Sequence, residues 1–461
     1  MAHAKEKHVN LIIGKLYDQM KKVVYDTDDD PKKERNIILY TGAVYLHMIE
    51  AIRKFQKREK KKFRIGLIHD SKGKLNEDTE GVLDKLDLVL SCDTGSDTAL
   101  QKTLLPYQDE ILTVSCRSEN YIPLLKRVLP QVPYVEGPTS EALKWSTDKI
   151  LMRERMDVYN KNINPRFTVI TDDSKESLNL IEEKVGFPLI AKPSGLAASR
   201  LVSICFHREE LEEVLKRTFK KLEGAYKEHK YEDMGKNGKE TRLLVEQFIE
   251  GEMHSIDAYV NATGEVWFCP MVHVKTGKEI GFDDFFGYQQ MTPATLNEVS
   301  VQTAQIAALS AIRAVGLRSC TVHVEMMKTE GGWKIIEMAP RPGGFRHMMY
   351  EFSYDINHTV NDVLVRTGDK PIIPKKLKGY AVAMKFFAKQ EGKLFKLQGI
   401  KKAQELKSLK KLYVHKKVGD QCTYAKHGGS SVFDLIMFNK DRSELLADIR
   451  RLEKMIDIET E

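Results

Sequence analysis

The sequence predicts a multidomain protein, α/β in its first third and α+β beyond it. Three patterns carry that expectation. Before about residue 140, short apolar runs alternate with helix-length polar stretches, which is how buried parallel strands read. Between about 165 and 340, strand patterns are interleaved with amphipathic helices and then fall into pairs around turns. From about 378 the chain becomes lysine-rich and strand-like and ends in the helix pattern SELLADIRRLEKMI.

In chain order, the first 33 residues hold a short helix pattern, NLIIGKLYDQMKKVVY, which runs into the acidic turn DTDDDPKK. NIILY at 36–40, FRIGLIH at 63–69, LDLVLS at 86–91 and ILTVS at 111–115 then predict the strands of an open α/β domain that ends near residue 140. A second alternation predicts strands at FTVI, PLIAK, LVSICF and RLLVEQF, with helices at SKESLNLIEEKVG and HREELEEVLKRTFKKLEGAY. HSIDAYV and VWFCPMVHV flank the turn NATGE and predict one antiparallel hairpin. SVQTAQIAALSAIRAVG is a strongly periodic helix that Gly316 ends. CTVHVEMMKTEGGWKIIEM predicts two strands around a Gly-Gly turn. The divisions that follow are 1–140, 141–375 and 376–461, with a smaller lobe at about 165–248.

With 461 residues, 42% of them hydrophobic, the chain can bury several cores. Its formal charge of +7 is small beside 73 basic and 66 acidic side chains, so it suits anionic small molecules and does not single out nucleic acid. The basic run RKFQKREKKKFR at 53–64 lacks interleaved aromatics for base stacking and reads as the solvated face of a helix. Six cysteines without CxxC spacing predict reduced core thiols in a cytoplasmic protein. No apolar run is long enough to span a membrane, and MAHAKEKHVN has no signal-peptide character.

The chemistry gathers around IIEMAPRPGG at 335–344, where an apolar strand ends in a carboxylate. A charge there is costly unless something pairs with it. Glu325 and Glu337 lie on the two strands joined at Glu330–Gly332, so the hairpin can set them side by side on one face. Two such carboxylates repel unless a divalent cation or a shared proton intervenes, and magnesium with water or phosphate oxygens fits them. Arg341 can fork onto a carboxylate or phosphate, and Gly343 and Gly344 allow backbone N–H groups close to an anion. Lys149 opens a helix, while Lys192 ends a strand and enters the small-residue loop SGLAAS at 194–199, which includes Ser199. Lysine acts on triphosphate as a point charge, and such a loop can close over it. Glu246, Gln247, Phe248 and Ile249 form an extended segment able to offer backbone groups to a purine edge.

Taken in that order, these residues resemble the ATP-grasp superfamily over roughly residues 145–370, in particular its carboxylate-amine ligase branch, similar to L-amino acid ligases. The resemblance implies a two-lobed ATP-grasp core preceded by an α/β domain and followed by a lid-like α+β domain. It also implies an enzyme that activates a carboxylate as an acyl phosphate and couples it to an amine. ATP would lie between the lobes with Mg²⁺, for which Mn²⁺ could substitute. Lys149 and Lys192 would hold phosphates, Ser199 would contact ATP, Glu246 to Ile249 would hold the adenine, Glu325 and Glu337 the metal, and Arg341 the substrate carboxylate and acyl phosphate. The implied partners are a small carboxylate and a small amine, with no nucleic acid or membrane and with room for a homodimer.

Two positions depart from the superfamily's pattern. Ala339 stands where a metal-binding asparagine is usual, and Met253 replaces the ribose-binding glutamate, with Glu252 and His254 on either side as substitutes. His323, His273 and Lys275 are further candidates for contact, and GFDDFFGYQQMTPATL sets two acids beside aromatics, as recognition of an ammonium group would require. Two other functions share the pattern. One is a bicarbonate-activating carboxylase of the biotin carboxylase type; the other is a nucleotide-binding regulatory protein without catalysis.

Overall fold

Four apolar strands, β1 (Ile37–Thr41), β2 (Arg64–Asp70), β3 (Leu88–Cys92) and β4 (Ile111–Ser115), form a parallel sheet in the order β3-β2-β1-β4. Helix α1 (Leu46–Glu59) covers one face through Met48, Ile49, Ile52 and Phe55. The predicted strands are therefore all present, and they are parallel as their near-continuous hydrophobicity requires. The computed structural model describes residues 34–193, 202–228 and 242–461. The helix pattern before residue 34, the loop at 194–199 and Ser199 lie outside those residues.

Helix α2 (Lys149–Asn160) follows, opened by Asp148, whose carboxylate caps the Ile150 and Leu151 amides. The small lobe is a four-stranded antiparallel sheet of β5 (Phe167–Ile170), β6 (Leu189–Pro193), β7 (Ser203–Cys205) and β8 (Leu243–Gln247), ordered β5-β8-β6-β7. Helices α3 (Lys175–Lys184) and α4 (Arg208–Glu228) accompany it, with Leu178, Ile181, Leu211 and Leu215 in its core.

The main sheet has nine strands. Those of its middle segment are β9 (Glu252–Val260), β10 (Val266–Phe268), β11 (Val272–Thr276), β12 (Gly287–Thr292), β13 (Cys320–Thr329) and β14 (Gly332–Ala339). The run VWFCPMVHV is two strands rather than one, because it is interrupted at Cys269–Met271 around Pro270, which has no N–H for a ladder. Both pieces pair antiparallel with β9. Helix α5 (Glu298–Val315) presents Ala304, Ala307, Ala308, Ala311 and Ala314 to one face of the sheet, and these small side chains let it lie close. Gly316 ends it at φ 70°. Helices α6 (Arg346–Tyr354) and α7 (His358–Arg366) cover the opposite face.

Beyond residue 376, β15 (Tyr380–Phe386) pairs with β12, so the sheet runs on into the C-terminal segment. The sheet order is β14-β13-β9-β11-β12-β15-β19-β17, with β17 (Leu409–Val414) and β19 (Phe433–Asn439) at its far end. A short sheet of β16 (Gly392–Gln398), β18 (Gln421–Cys422) and β20 (Asp457–Thr460) stands beside it, and the final strand β20 follows the predicted helix α8 (Arg442–Met455). All six cysteines are buried free thiols. Among the described residues no helix is long and apolar enough to cross a membrane.

Candidate active site

Strands β13 and β14 bring Glu325 directly opposite Glu337, with a register shift immediately after that pair. Directly paired residues point to the same face, so the two carboxylates share the face opposite α5. Lys149, at the first position of α2, donates to Glu337 at 2.8 Å. Burial disfavours its charge, yet the Glu337 carboxylate more than compensates and raises the ammonium above its ordinary value. Glu325 belongs to a second group. His323 Nε2 lies 3.4 Å from it, and His323 Nδ1 lies 2.6 Å from Asp257 Oδ1.

Asp257 is the hub of that group. Fully buried, it also meets His358 Nε2 at 2.8 Å and accepts the Gly343 N–H at 2.8 Å. The Tyr259 hydroxyl lies 2.5 Å from His358 Nδ1 and extends the chain. Burial opposes the charge of Asp257, but His323 and His358 hold it well below the usual carboxylate range. The same contact raises His323 against the pull of burial, whereas burial prevails at His358 and lowers it. Glu325 is lowered despite its burial by the hydrogen bond from His323 and by Arg341 and Arg346 nearby.

The glycine pair of PRPGG splits in function. A Cβ on Gly343 would fall 2.6 Å from His323 Nδ1 and 2.8 Å from Arg346 Cγ, while around Gly344 there is open space. The Gly343 N–H does approach an anion, and that anion is the protein's own Asp257. Arg341 reaches Glu119 of the N-terminal domain at 2.8 Å and is raised by it despite burial. Arg346, 2% exposed, donates to Gln290 at 2.7 Å and to Ser255 at 2.8 Å.

Lys192 and Glu246 meet in the small lobe, where Arg153 joins them: both cations reach Glu246, which is 2% exposed. Glu246 stays charged and lowered despite burial because Arg153 and Lys192 outweigh it. Burial lowers Lys192 in spite of Glu246. The Gln247 and Phe248 amides are occupied by the Arg166 and Pro188 carbonyls, and among the described residues the Ile249 N–H is the amide of that trio without a backbone acceptor.

Several expected residues do not join the group. His254 pairs with Met326 and packs edge-on to Trp333, on the face that α5 covers, so its side chain points away from Glu325. His273 lies opposite His254 in register, 5.1 Å between rings, and shares that placement. Lys275 follows two residues later on the same strand face. Glu252 is exposed at the start of β9 and approaches Lys328 at 3.9 Å. Met253, not its neighbours, has the parity of Glu325. Of the acids of GFDDFF, Asp284 is buried and accepts the Lys426 amide, whereas Asp283 is exposed and pairs with the Lys426 ammonium.

Asp257, His358 and Arg346 join this group, and local patterns did not bring them forward. Alternation along HSIDAYV gave a signal for Asp257, since an acid in the middle of a buried strand needs partners. Among the described residues no cluster of three or more metal-ligating side chains forms. A magnesium ion fits the Glu325 and Glu337 pair nonetheless, since it is commonly bound by one or two carboxylates and otherwise by water and phosphate.

A family model described as an ATP-grasp domain matches residues 185–348. Alanine–anticapsin ligase of Bacillus subtilis is 27% identical over 253 residues, covering 50% of this chain and 49% of its own length. D-alanine–D-alanine ligase of Fervidobacterium nodosum is 23% identical over 186 residues, 39% of this chain and 52% of that protein. The chain thus spans about half the length of the curated relatives it matches. An L-amino acid ligase from Bacillus licheniformis superposes with a TM-score of 0.70 at 16% identity, covering 93% of this chain and all of that one. Residues 185–348, which hold most of the small lobe and the paired glutamates, therefore match an ATP-grasp domain, and the chain as a whole shares the fold of the L-amino acid ligase.

Proposed function

We propose that this chain is an ATP-dependent ligase that activates a carboxylate as an acyl phosphate and couples it to an amine, releasing ADP and phosphate. The observation that carries the reading is the direct pairing of Glu325 with Glu337, with Lys149 on Glu337. An acidic pair with a lysine at its edge and an arginine loop behind it has the charge pattern that phosphoryl transfer requires, since that chemistry depends on positioning and charge neutralisation. When bound, ATP supplies the phosphoryl group and Mg²⁺ screens it so that an anionic carboxylate can approach.

The chain's own residues do the remainder. Glu325 and Glu337 hold the cation and Lys149 and Lys192 the phosphates, with Ser199 as a further contact to ATP. The Gln247–Ile249 segment borders the adenine, and Glu246 serves by keeping Lys192 in place. Arg341 holds the carboxylate to be activated. The Asp257, His358 and His323 chain fixes the orientation of Glu325 and the course of the Gly343 loop. The names of the relatives support an amino acid on the amine side. We place the enzyme in the cytoplasm, in keeping with its reduced thiols.

The test is phosphate release with ATP and Mg²⁺ across a matrix of carboxylates and amines. Release that requires both a carboxylate and an amine is expected. Release with bicarbonate alone would instead favour a carboxylase, and none with any pair, alongside tight ATP binding, would favour a nucleotide-binding regulator.

A further inference from the structure

Behind Arg341 the same loop runs through Gly343 and Gly344 to Phe345, which stands at φ 58°, in the left-handed region that a bulky side chain seldom takes. Phe345 opens α6, and its ring lies under the Lys385 ammonium, 5.5 Å from Nζ to the ring centroid. Lys385 is half-buried on β15, and no acid among the described residues forms a salt bridge with it. Its direct cross-strand neighbour, Asp434, is 9% exposed and has both oxygens engaged elsewhere. Oδ1 accepts from the Ser431 hydroxyl at 2.5 Å, and Oδ2 meets His415 Nε2 at 3.0 Å.

Gln290 is the neighbour of Lys385 on the other side. Strands β12 and β15 pair Gln290 with Ala383, and Lys385 follows two residues later on the same face, as a diagonal neighbour within reach of a long side chain. Arg346 donates to Gln290 Oε1 at 2.7 Å. A guanidinium only donates, so the carboxamide oxygen must face Arg346 and the amide nitrogen must face away. That nitrogen sits against Gly287, where a Cβ would fall 2.9 Å from it, and it has no acceptor among the described residues. Arg346 also donates to Ser255, the cross-strand partner of Glu325, so Gln290 and Lys385 lie on the face that carries the acidic pair. An ammonium and an amide thus stand next to one another on that face with donors to give and no acceptor to receive them.

We propose that the carboxylate substrate carries a second anionic group, a carboxylate or a phosphate, and that Lys385 and Gln290 select it by holding that group while Arg341 holds the carboxyl to be activated. The inference rests on the ligase reading and names the class of acid that reading leaves open. An ammonium supplies charge and a carboxamide a directed N–H, which together suit an oxyanion. A substrate with a neutral amide in that place would turn its own N–H₂ toward donors, and a site built to donate rejects such an analogue.

The experiment measures phosphate release with ATP, Mg²⁺ and one fixed amine, and sets glutamate against glutamine, aspartate against asparagine and O-phosphoserine against serine as the carboxylate substrate. Wild type should favour the acidic member of at least one pair by about tenfold or more in kcat/KM, and the pair with the largest ratio tells carboxylate from phosphate. Lys385→Met keeps an apolar stem on Phe345 but should bring that ratio close to one with KM for ATP unchanged; Lys385→Arg should retain it, and Gln290→Leu should reduce it about threefold. Should Lys385→Met fail to fold by circular dichroism, Lys385→Gln is read in the same way. A wild-type ratio near one for all three pairs, or a ratio that survives in the Lys385 variants without charge, would overturn the assignment and leave the ligase reading standing. Were wild type inactive throughout, the ligase reading would fall and thermal-shift titration with the same compounds and ADP would decide. Stabilisation by acidic members alone, lost in Lys385→Met, would keep the anion site, whereas equal shifts or none would remove it.

Discussion

Two glutamates, Glu246 and Glu337, each lie beside a lysine at the end of a strand, yet their surroundings differ. Glu246 is 2% exposed and has both oxygens occupied, one by Arg153 and the other by Lys192. Glu337 has a side chain 32% exposed and one oxygen on Lys149. The first is a closed charge cluster that ties α2 to the small lobe, for Arg153 also donates to the Ile336 carbonyl at 2.7 Å. The second keeps an oxygen and an open side. A carboxylate that must take up a cation has to be of the second kind, because a buried acid with every lone pair in use can give up none of them without leaving a charge unpaired.

The comparison breaks most visibly at Glu246. Replacing it by Gln leaves Arg153 and Lys192 together in a buried place without a negative charge, and loss of one partner of such a cluster costs about 3–5 kcal/mol. Urea unfolding of Glu246→Gln should show a lower midpoint at an unchanged slope. A midpoint within error of wild type would mean that the cluster is not a structural tie.

Glu337→Gln should behave in the opposite way. Its partly exposed pair with Lys149 contributes about 1 kcal/mol or less to stability, so the midpoint should barely move. Turnover should fall about a hundredfold or more, the usual cost of removing a key electrostatic contact to the reacting charges. Activity within about threefold of wild type would take Glu337 out of the site.

How far this contrast could be read in the sequence follows from the range of the interactions. Glu325 and Glu337 are joined by a tight hairpin, so alternation and one short turn suffice to place them together. The parallel strands of the first domain are equally local, since each is an apolar run between polar stretches. Arg153 and Glu246 are far apart in the chain, as are Arg341 and Glu119, and no periodicity connects them. Residue types on EGEMHSID gave the acids and histidines of β9 but not the strand's phase. That phase is set by Gly251, whose Cβ would fall 2.2 Å from the Lys328 carbonyl oxygen, and by pairing with β13. A shift of one residue exchanges His254 for Met253 on the site's face.

Arg341→Lys sharpens the contrast at intermediate strength. Its pair with Glu119 is partly exposed, and lysine can keep the charge, so the melting temperature should change little. The chemical step should slow by about tenfold, because lysine lacks the planar fork, while ATP affinity stays as it was. Nucleotide titration, melting and phosphate release on one preparation separate these effects. A destabilised mutant with normal specific activity would assign Arg341 to the domain seam instead of the reaction.

The smallest effect is that of acid on the Glu246 cluster. The folded-state value of Glu246 is lowered, chiefly because Arg153 and Lys192 outweigh burial. A carboxyl lowered on folding binds fewer protons in the native state than in the unfolded chain, so its contribution is complete above the unfolded value of about 4.3 and is lost as pH falls through the folded value. Glu246→Gln has no such proton to bind. The stability gap between wild type and Glu246→Gln should therefore be constant from about pH 7 to pH 5 and narrow steadily below about pH 4. Urea midpoints for the two proteins in matched buffers at each pH provide the measurement, and taking the difference cancels the other acidic groups that titrate in the same range. A gap that stays level down to about pH 3 would show that shape and hydrogen bonding, not charge, hold Arg153 and Lys192, and the line drawn between a closed cluster and an open pair would lose its electrostatic basis.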